Sequence, residues 1–265
     1  AFLLLFTGIY TMVYNLQSAS VHFEYVLGSM SFVFLIIVPI LTMRVLAEER
    51  RQKTDQLLYS LPLSMTRVVL GKYLALLVVY LIPLCIISFY PLIFSLFGDV
   101  YLLTSYGSIA AFFLMGAAFL AMGIFISSLT DNQGFAAGIT IALILFNYYS
   151  VSLSEYTSST MFGSLLTFYA LAIVVGVVVR VLTKNDALAY GVSIVLLLGI
   201  AILCFVDSSL FEGLLPAMTE TLSLFERFNS FVNGVFDMTT IVYYLSVIVF
   251  FLFLSVQSLE KRRYN

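Results

Sequence analysis

The sequence predicts an all-α polytopic membrane protein, and three observations carry that fold class. Of its 265 residues 62% are hydrophobic and only 10% are charged, against roughly 25% charged in a soluble domain. Mean hydropathy is +1.09. The apolar residues gather into runs near the roughly 20 residues a helix needs to cross a bilayer, with short polar connections between them. The expected architecture is about eight transmembrane helices in a single transmembrane domain, 1–265, with a cytoplasmic coupling helix and an outer-surface amphipathic helix.

The first run, 1–14, has no initiator Met, basic n-region or small-residue cleavage site. It is expected to be a truncated span, with the chain starting inside its first helix. The loop "QSASVHFEY" follows and holds the single histidine, His22, which reads as a solvated loop residue. The second span, 27–43, contains Pro39 and leads into a charged region, 44–70. Further spans are expected at 71–96, 105–128, 135–151, 162–182, 188–206 and 240–258; a re-entrant pair could imitate the two within 162–206. Pro83 and Pro91 are tolerated in membrane helices, where they bend the helix or free a carbonyl. Cys85 and Cys204 lie inside apolar runs and read as small hydrophobes. The span at 135–151 opens with "GFAAG"; Gly134 and Gly138, four apart, permit close approach of another helix. Internal packing and a subunit interface fit that spacing alike. In the outer amphipathic region, 207–239, Leu215, Met218, Leu222 and Phe225 recur at helical spacing. A helix lying at the outer membrane surface fits, as does a packed loop helix.

Orientation follows from Lys and Arg. With the charged region cytoplasmic, eleven of the twelve basic residues lie on that side and only Arg227 lies outside. Both termini are then cytoplasmic.

The absences exclude whole function classes. There is no H-E-x-x-H, no plausible Ser/His/Asp set, no metal cluster, and no basic stripe of the kind that binds nucleic acid. No ionisable Asp, Glu, Lys, Arg or His falls from Tyr73 to Gly98, from Tyr101 to Thr130, or from Gln133 to Leu153. Ion-coupled transport usually needs such groups inside the membrane, although sodium can be held by carbonyls at broken helices. A phosphate-binding G-x-x-x-x-G-K-[ST] loop is missing too, since "LGKYLA" has only Gly–Lys. The chain is therefore read as a non-enzyme with no cofactor of its own, and any nucleotide must be bound by another chain.

The charged region then reads as a docking element, the alternative being a solvated loop with some helix in it. From Met43 to Lys53 the second span is expected to continue as a polar helix. Its charge pairs would be Arg44 with Glu48, Glu49 with Lys53, and Glu48 with Arg51. Thr54 is a candidate N-cap, with Asp55 in the first turn. A short helix, "DQLLYS", would carry Leu57, Leu58 and Tyr59 and stop before Pro62. Ser64 would cap the helix that enters the next span.

These residues resemble the permease subunits of type-2 ABC exporters, the ABC-2 family, in its gliding-motility and nitrous-oxide-reductase-maturation branch. One match is "PILTMRVLAEERRQKTDQLLYSLPLSMTRVVLGKYLA", similar to that family's Pro-bearing span end, M-R, E-E-R-R, capping Thr, L-L, P-(L/V)-S and G-K. The second is "RFNSFVNGVFDMTTIVYYLSVIVFFLFLSVQSLEKRR", similar to R-F-x-x-F-x-x-G-x-x-D, V-Y-Y and a final L-E-K-R-R. The resemblance implies a bacterial inner-membrane permease that dimerises and pairs with two cytoplasmic ATPase subunits, which would bind ATP and Mg. It implies that Glu48, Glu49 and Arg50 belong to the docking approach and Thr54 to the cap. Leu57, Leu58, Pro62 and Ser64 would form the coupling turn, and Gly134 and Gly138 would lie at the dimer contact. Two departures stand out. The family commonly has G-T-L-E where this chain has Lys53, Thr54, Asp55 and Gln56, and many relatives lack the 162–206 pair.

The expected function is thus the translocation path of an ATP-driven exporter. The alternative is a non-transporting scaffold or regulatory subunit that anchors a cytoplasmic partner. An accessory protein with an exported domain would fit the exporter reading. Lipids, hydrophobic peptides and drugs suit the aromatic-rich spans equally.

Overall fold

The structure is a computed structural model that describes residues 1–18, 20–54, 64–156, 161–183, 186–206 and 214–263. Among these residues the regular structure is helical throughout, as expected. In chain order, α1 (Phe2–Thr11) runs into a π-helical segment (Met12–Gln17). Next come α2 (Glu24–Met30), a 3-10 turn (Ser31–Val33), α3 (Phe34–Thr42) and α4 (Ala47–Arg51). They are followed by α5 (Met65–Ile87), α6 (Phe89–Phe94), α7 (Leu102–Leu129) and α8 (Gln133–Tyr156). The remaining helices are α9 (Met161–Thr183), α10 (Asp186–Val206), α11 (Leu214–Leu222), α12 (Leu224–Val232) and α13 (Met238–Arg263).

Five stretches among the described residues are long and apolar enough to cross a membrane: Glu24–Arg51, Met65–Phe94, Leu102–Leu129, Gln133–Ser152 and Met238–Arg262. Phe2–Gln17 and Tyr190–Ile202 are shorter apolar helices. The chain divides into two compact units, Ala1–Tyr148 with Leu224–Asn265, and Tyr149–Ser223.

In the first unit α7 is the central helix. Its apolar window is 78% buried, whereas those of Met65–Phe94 and Met238–Arg262 are 22% and 28% buried. Small residues make this position possible: Tyr80 and Phe34 press against Gly116, and the Thr42 side chain against Gly123, so closely that a Cβ would overlap them. Polar groups buried among the helices find partners across them. The Tyr80 hydroxyl donates to the Phe112 carbonyl (2.9 Å) and the Tyr73 hydroxyl to that of Ala117 (3.1 Å). This tyrosine pair from α5 satisfies hydroxyls where no water is at hand.

The amphipathic region holds two helices, interrupted at Ser223. Its buried stripe is Leu224, Phe225, Phe228 and Phe231, of which Phe225 belongs to the expected set. Met218 and Leu222 are exposed. The helical period restarts after the break, so α12 presents an aromatic stripe that the longer spacing concealed. That stripe packs into the core of the first unit: Phe228 meets Phe112 edge-on at 5.7 Å, and Phe225 meets Phe119 at 5.0 Å. Polar contacts fix both ends of α12. The Tyr244 hydroxyl donates to the Leu224 carbonyl (2.8 Å), and Ser108 Oγ donates to that of Phe231 (2.9 Å). Arg227, the basic residue expected outside, holds its guanidinium 4.2 Å from the centre of the Tyr243 ring.

In the second unit α9 and α10 pack against each other as a helical hairpin. Arg180 Nε donates to Asp186 Oδ1 at 2.6 Å across the connection.

Candidate coupling elbow

The candidate site is the elbow between α3 and α5. Helix α3 ends at Thr42, whose hydroxyl donates back to the Val38 carbonyl at 2.8 Å. The polar continuation expected from Met43 to Lys53 is therefore not one helix but a turn followed by the five-residue α4. Glu48 and Glu49 stand in the first turn of α4, and Arg50 and Arg51 in its last, the order that suits a helix dipole.

No side chain of α4 caps its own start. The cap comes instead from α7: Ser127 Oγ accepts the backbone N–H groups of Leu46 (3.2 Å) and Ala47 (3.1 Å). These are orphan donors of a helix start buried in the bundle, where leaving them unmade would be costly. The C-terminal end closes in a Schellman motif. The Lys53 N–H donates to Arg50 O and the Thr54 N–H to Glu49 O, both at 3.0 Å. Lys53 takes the left-handed φ of 57° that this motif demands.

A lysine from α5 ties the elbow to the next span. Lys72 Nζ donates to the Val45 carbonyl at 2.8 Å and forms an ion pair with Glu49 Oε1. Glu49 thus pairs across segments with Lys72 rather than along the helix with Lys53. Glu48 accepts a bond from Gln52 Nε2 (3.2 Å), four residues on, and Arg44 is exposed. For Glu49 the reason is geometric: Lys53 leaves the helical conformation at φ 57°, so the i,i+4 spacing no longer holds there. Arg50 is buried, at 7% exposure. The same end of α7 is held from the other side by α13, through Ser258 Oγ to Ser128 O (3.1 Å) and Arg262 to Leu129 O (2.9 Å).

Of the expected coupling residues, Glu48, Glu49 and Arg50 lie together on α4, and Thr54 follows it. The Thr54 hydroxyl donates backwards to Glu49 O (3.2 Å), closing α4; the segment expected to form the helix it caps lies outside the described residues. Asp55, Leu57, Leu58, Tyr59 and Pro62 also lie outside them. Ser64 occupies the N-cap position of α5 in extended backbone, with no capping bond from its side chain. Gly134 and Gly138 fall in the first two turns of α8. That helix is capped by Asn132, whose Oδ1 accepts the N–H groups of Gly134 (2.9 Å) and Phe135 (3.3 Å).

Sequence reasoning missed Lys72 and Ser127. Lys72 had a signal, because a lysine at the foot of an apolar helix needs a nearby partner. Ser127 had none: its role depends on a contact some eighty residues distant in the chain. No group of three or more His, Cys, Asp or Glu among the described residues is placed to hold a metal ion.

Comparison with known proteins gives one match. A family model described as ABC-2 family transporter protein matches residues 5–206, a stretch that includes the whole elbow. No curated protein and no solved structure matches the chain.

Proposed function

Because the chain belongs to the ABC-2 family of transporter proteins, a multi-pass membrane permease by its helices and its family, we propose that it is the permease half of an ATP-driven exporter. Two copies, or this chain and a related one, would line the path, and two cytoplasmic ATPase subunits holding ATP and Mg would drive it. The membrane would be the inner membrane of a bacterium, with both termini cytoplasmic.

The observation that supports this reading is the double anchorage of the elbow. Helix α4 is joined to α5 through Lys72 and to α7 through Ser127. A push delivered to the charged segment therefore reaches two spans directly, with little slack in a flexible loop. A loop whose only task is to connect α3 to α5 has no need of the bonds from Lys72. In this reading Glu48, Glu49 and Arg50 form the approach to the ATPase, and the segment with Asp55, Leu57, Leu58, Tyr59 and Pro62 enters its groove. Thr54 and Ser64 mark the two ends of that segment.

The test is purification in mild detergent, with mass spectrometry of what accompanies the chain and assay of ATP hydrolysis. An ABC ATPase is expected, with substrate-stimulated turnover that Leu57→Asp or Leu58→Asp abolishes while membrane insertion stays intact. Unchanged coupled turnover in both variants would reject the docking role. Co-purification without any substrate-stimulated hydrolysis would instead favour a scaffold.

A further inference from the structure

We propose that Asn147 is a positioning residue that holds α8 closed against α12, and that the translocation path opens to the outer side along the seam between these two helices. The proposal rests on the permease reading, and what carries it is a second helix start that borrows its cap. Ser127 of α7 caps α4 from outside; in the same way the Leu224 N–H, at the start of α12, donates to Asn147 Oδ1 of α8 at 3.0 Å. An N–H only donates, so the amide oxygen must be the atom that faces it. Leu224 is fully buried, and without this bond an orphan donor of the helix start would lie in apolar surroundings. The next residue on each side adds a ring contact, Tyr148 meeting Phe225 edge-on at 5.0 Å. Asn147 also ends the inward stripe of α8, after the buried Ala136, Thr140 and Ile144, of which Ile144 joins the apolar core of the first unit.

The two sides of α12 are held unequally. Towards α7 and α13 its Phe228 and Phe225 pack on Phe112 and Phe119, and Tyr244 and Ser108 bond its two ends. Towards α8 the join is partly open: Asn147 is half-buried and Tyr148 is 37% exposed. Lifting α12 off α7 would strip Phe225, Phe228 and Phe231 of their packing, so the seam with α8 is where the structure parts more readily. The connection of α8 to α7 allows this. It runs through an extended link, with Thr130 at φ −128° and ψ 156°, about which α8 tilts as a body while α12 stays with α7 and α13. Asn147 stands roughly 21 Å along α8 from its first residue, Gln133, where a small tilt gives a large displacement.

The test uses the full chain with Cys85→Ser and Cys204→Ser, so that one introduced thiol reports. Ile144→Cys places that thiol behind the seam, at a residue with 0% exposure. A charged, membrane-impermeant methanethiosulfonate reagent then measures how often water reaches it. Labelling is expected to be slow while Asn147 is present. Asn147→Leu removes the acceptor at similar volume and should speed labelling about tenfold, the factor by which loss of one hydrogen bond shifts a two-state equilibrium. Asn147→Asp keeps an oxygen for the Leu224 N–H and should restore slow labelling, a rescue that general loosening of the fold would not give. A rate unmoved by Asn147→Leu, or as fast in Asn147→Asp, would overturn the positioning role. In the Ile144→Cys chain purified with its ATPase, a non-hydrolysable ATP analogue should speed labelling by a similar factor, and indifference to the nucleotide would overturn the exit. If no ATPase accompanies the chain the permease reading fails, and the Asn147→Leu comparison, made on the chain alone, still decides whether Asn147 closes the seam.

Discussion

Lys53 is held at φ 57° by the motif that ends α4, in a region where an L side chain is strained and glycine is not. A position of this kind suits glycine, the residue that the resembled family pattern has before the Thr; Lys53 stands there instead and bears the strain. Lys53→Gly is expected to stabilise the elbow by up to about 1 kcal/mol, since relief of the left-handed strain outweighs the added freedom of the unfolded chain. Thermal melting of the purified chain checks it, and a lowered Tm would contradict the strain argument. Lys72 carries the opposite expectation. Lys72→Met removes both the ion pair with Glu49 and the bond to the Val45 carbonyl, a loss of about 1–3 kcal/mol. If the elbow transmits force as proposed, the ratio of transport to ATP hydrolysis should fall further in Lys72→Met than the lowered Tm alone accounts for. Lys72→Arg, which keeps the charge, should recover part of that ratio.

At the scale of the element, α13 begins with a cap whose strength depends on pH. The Asp237 carboxylate accepts the hydroxyl of Thr240 (2.7 Å) and the N–H of Thr239 (2.9 Å). These bonds, that of Thr240 foremost, favour the charged form and hold its pKa below the usual carboxylate range. A folded-state pKa lowered in this way contributes stability that is present above the unfolded pKa and lost as pH falls through the folded one. The Tm advantage of the unaltered chain over Asp237→Asn should therefore shrink on acidification, and a difference independent of pH would show that the carboxylate charge contributes nothing. Packing of α7 is a second test: Gly123→Leu has no room beside Thr42 and should cost about 1–3 kcal/mol as overpacking, read as a drop in Tm. How much of this was legible divides along the same lines. Apolar runs near span length gave the helices, because a bilayer imposes length and composition locally. The charged segment was legible as an element for the same reason. Its internal order was not, because the Ser127 cap and the Lys72–Glu49 pair are made by residues remote in sequence. The α12 stripe was missed because a single break at Ser223 resets the helical phase.

At the scale of the whole molecule, the remaining question is which face meets a second permease. Helix α8 has two faces of different character. Ala136, Thr140 and Ile144 are buried, four apart on one stripe. On the other side Gly134, Gly138 and Ala142 are exposed at the same spacing, and a Cβ added at Gly138 would meet nothing within 4 Å. Phe135 and Phe146, 60% and 63% exposed, flank this stripe. Small residues spaced by four let two helix backbones approach closely within a membrane, where contact rather than exclusion of water drives association. The buried face carries its own small residues in Ala136 and Thr140, so the exposed stripe of Gly134, Gly138 and Ala142 is not taken up by internal packing, and we place the proposed dimer contact here. Gly138→Trp separates the two explanations. The side chain has open space within its own chain, so expression, helicity and Tm of the monomer should be unchanged. It would, however, hold a facing helix away, so native mass spectrometry in mild detergent should move from dimer to monomer, and coupled ATP hydrolysis should be lost with it. A Gly138→Trp chain that still dimerises would place the contact elsewhere. One that unfolds would return Gly138 to internal packing.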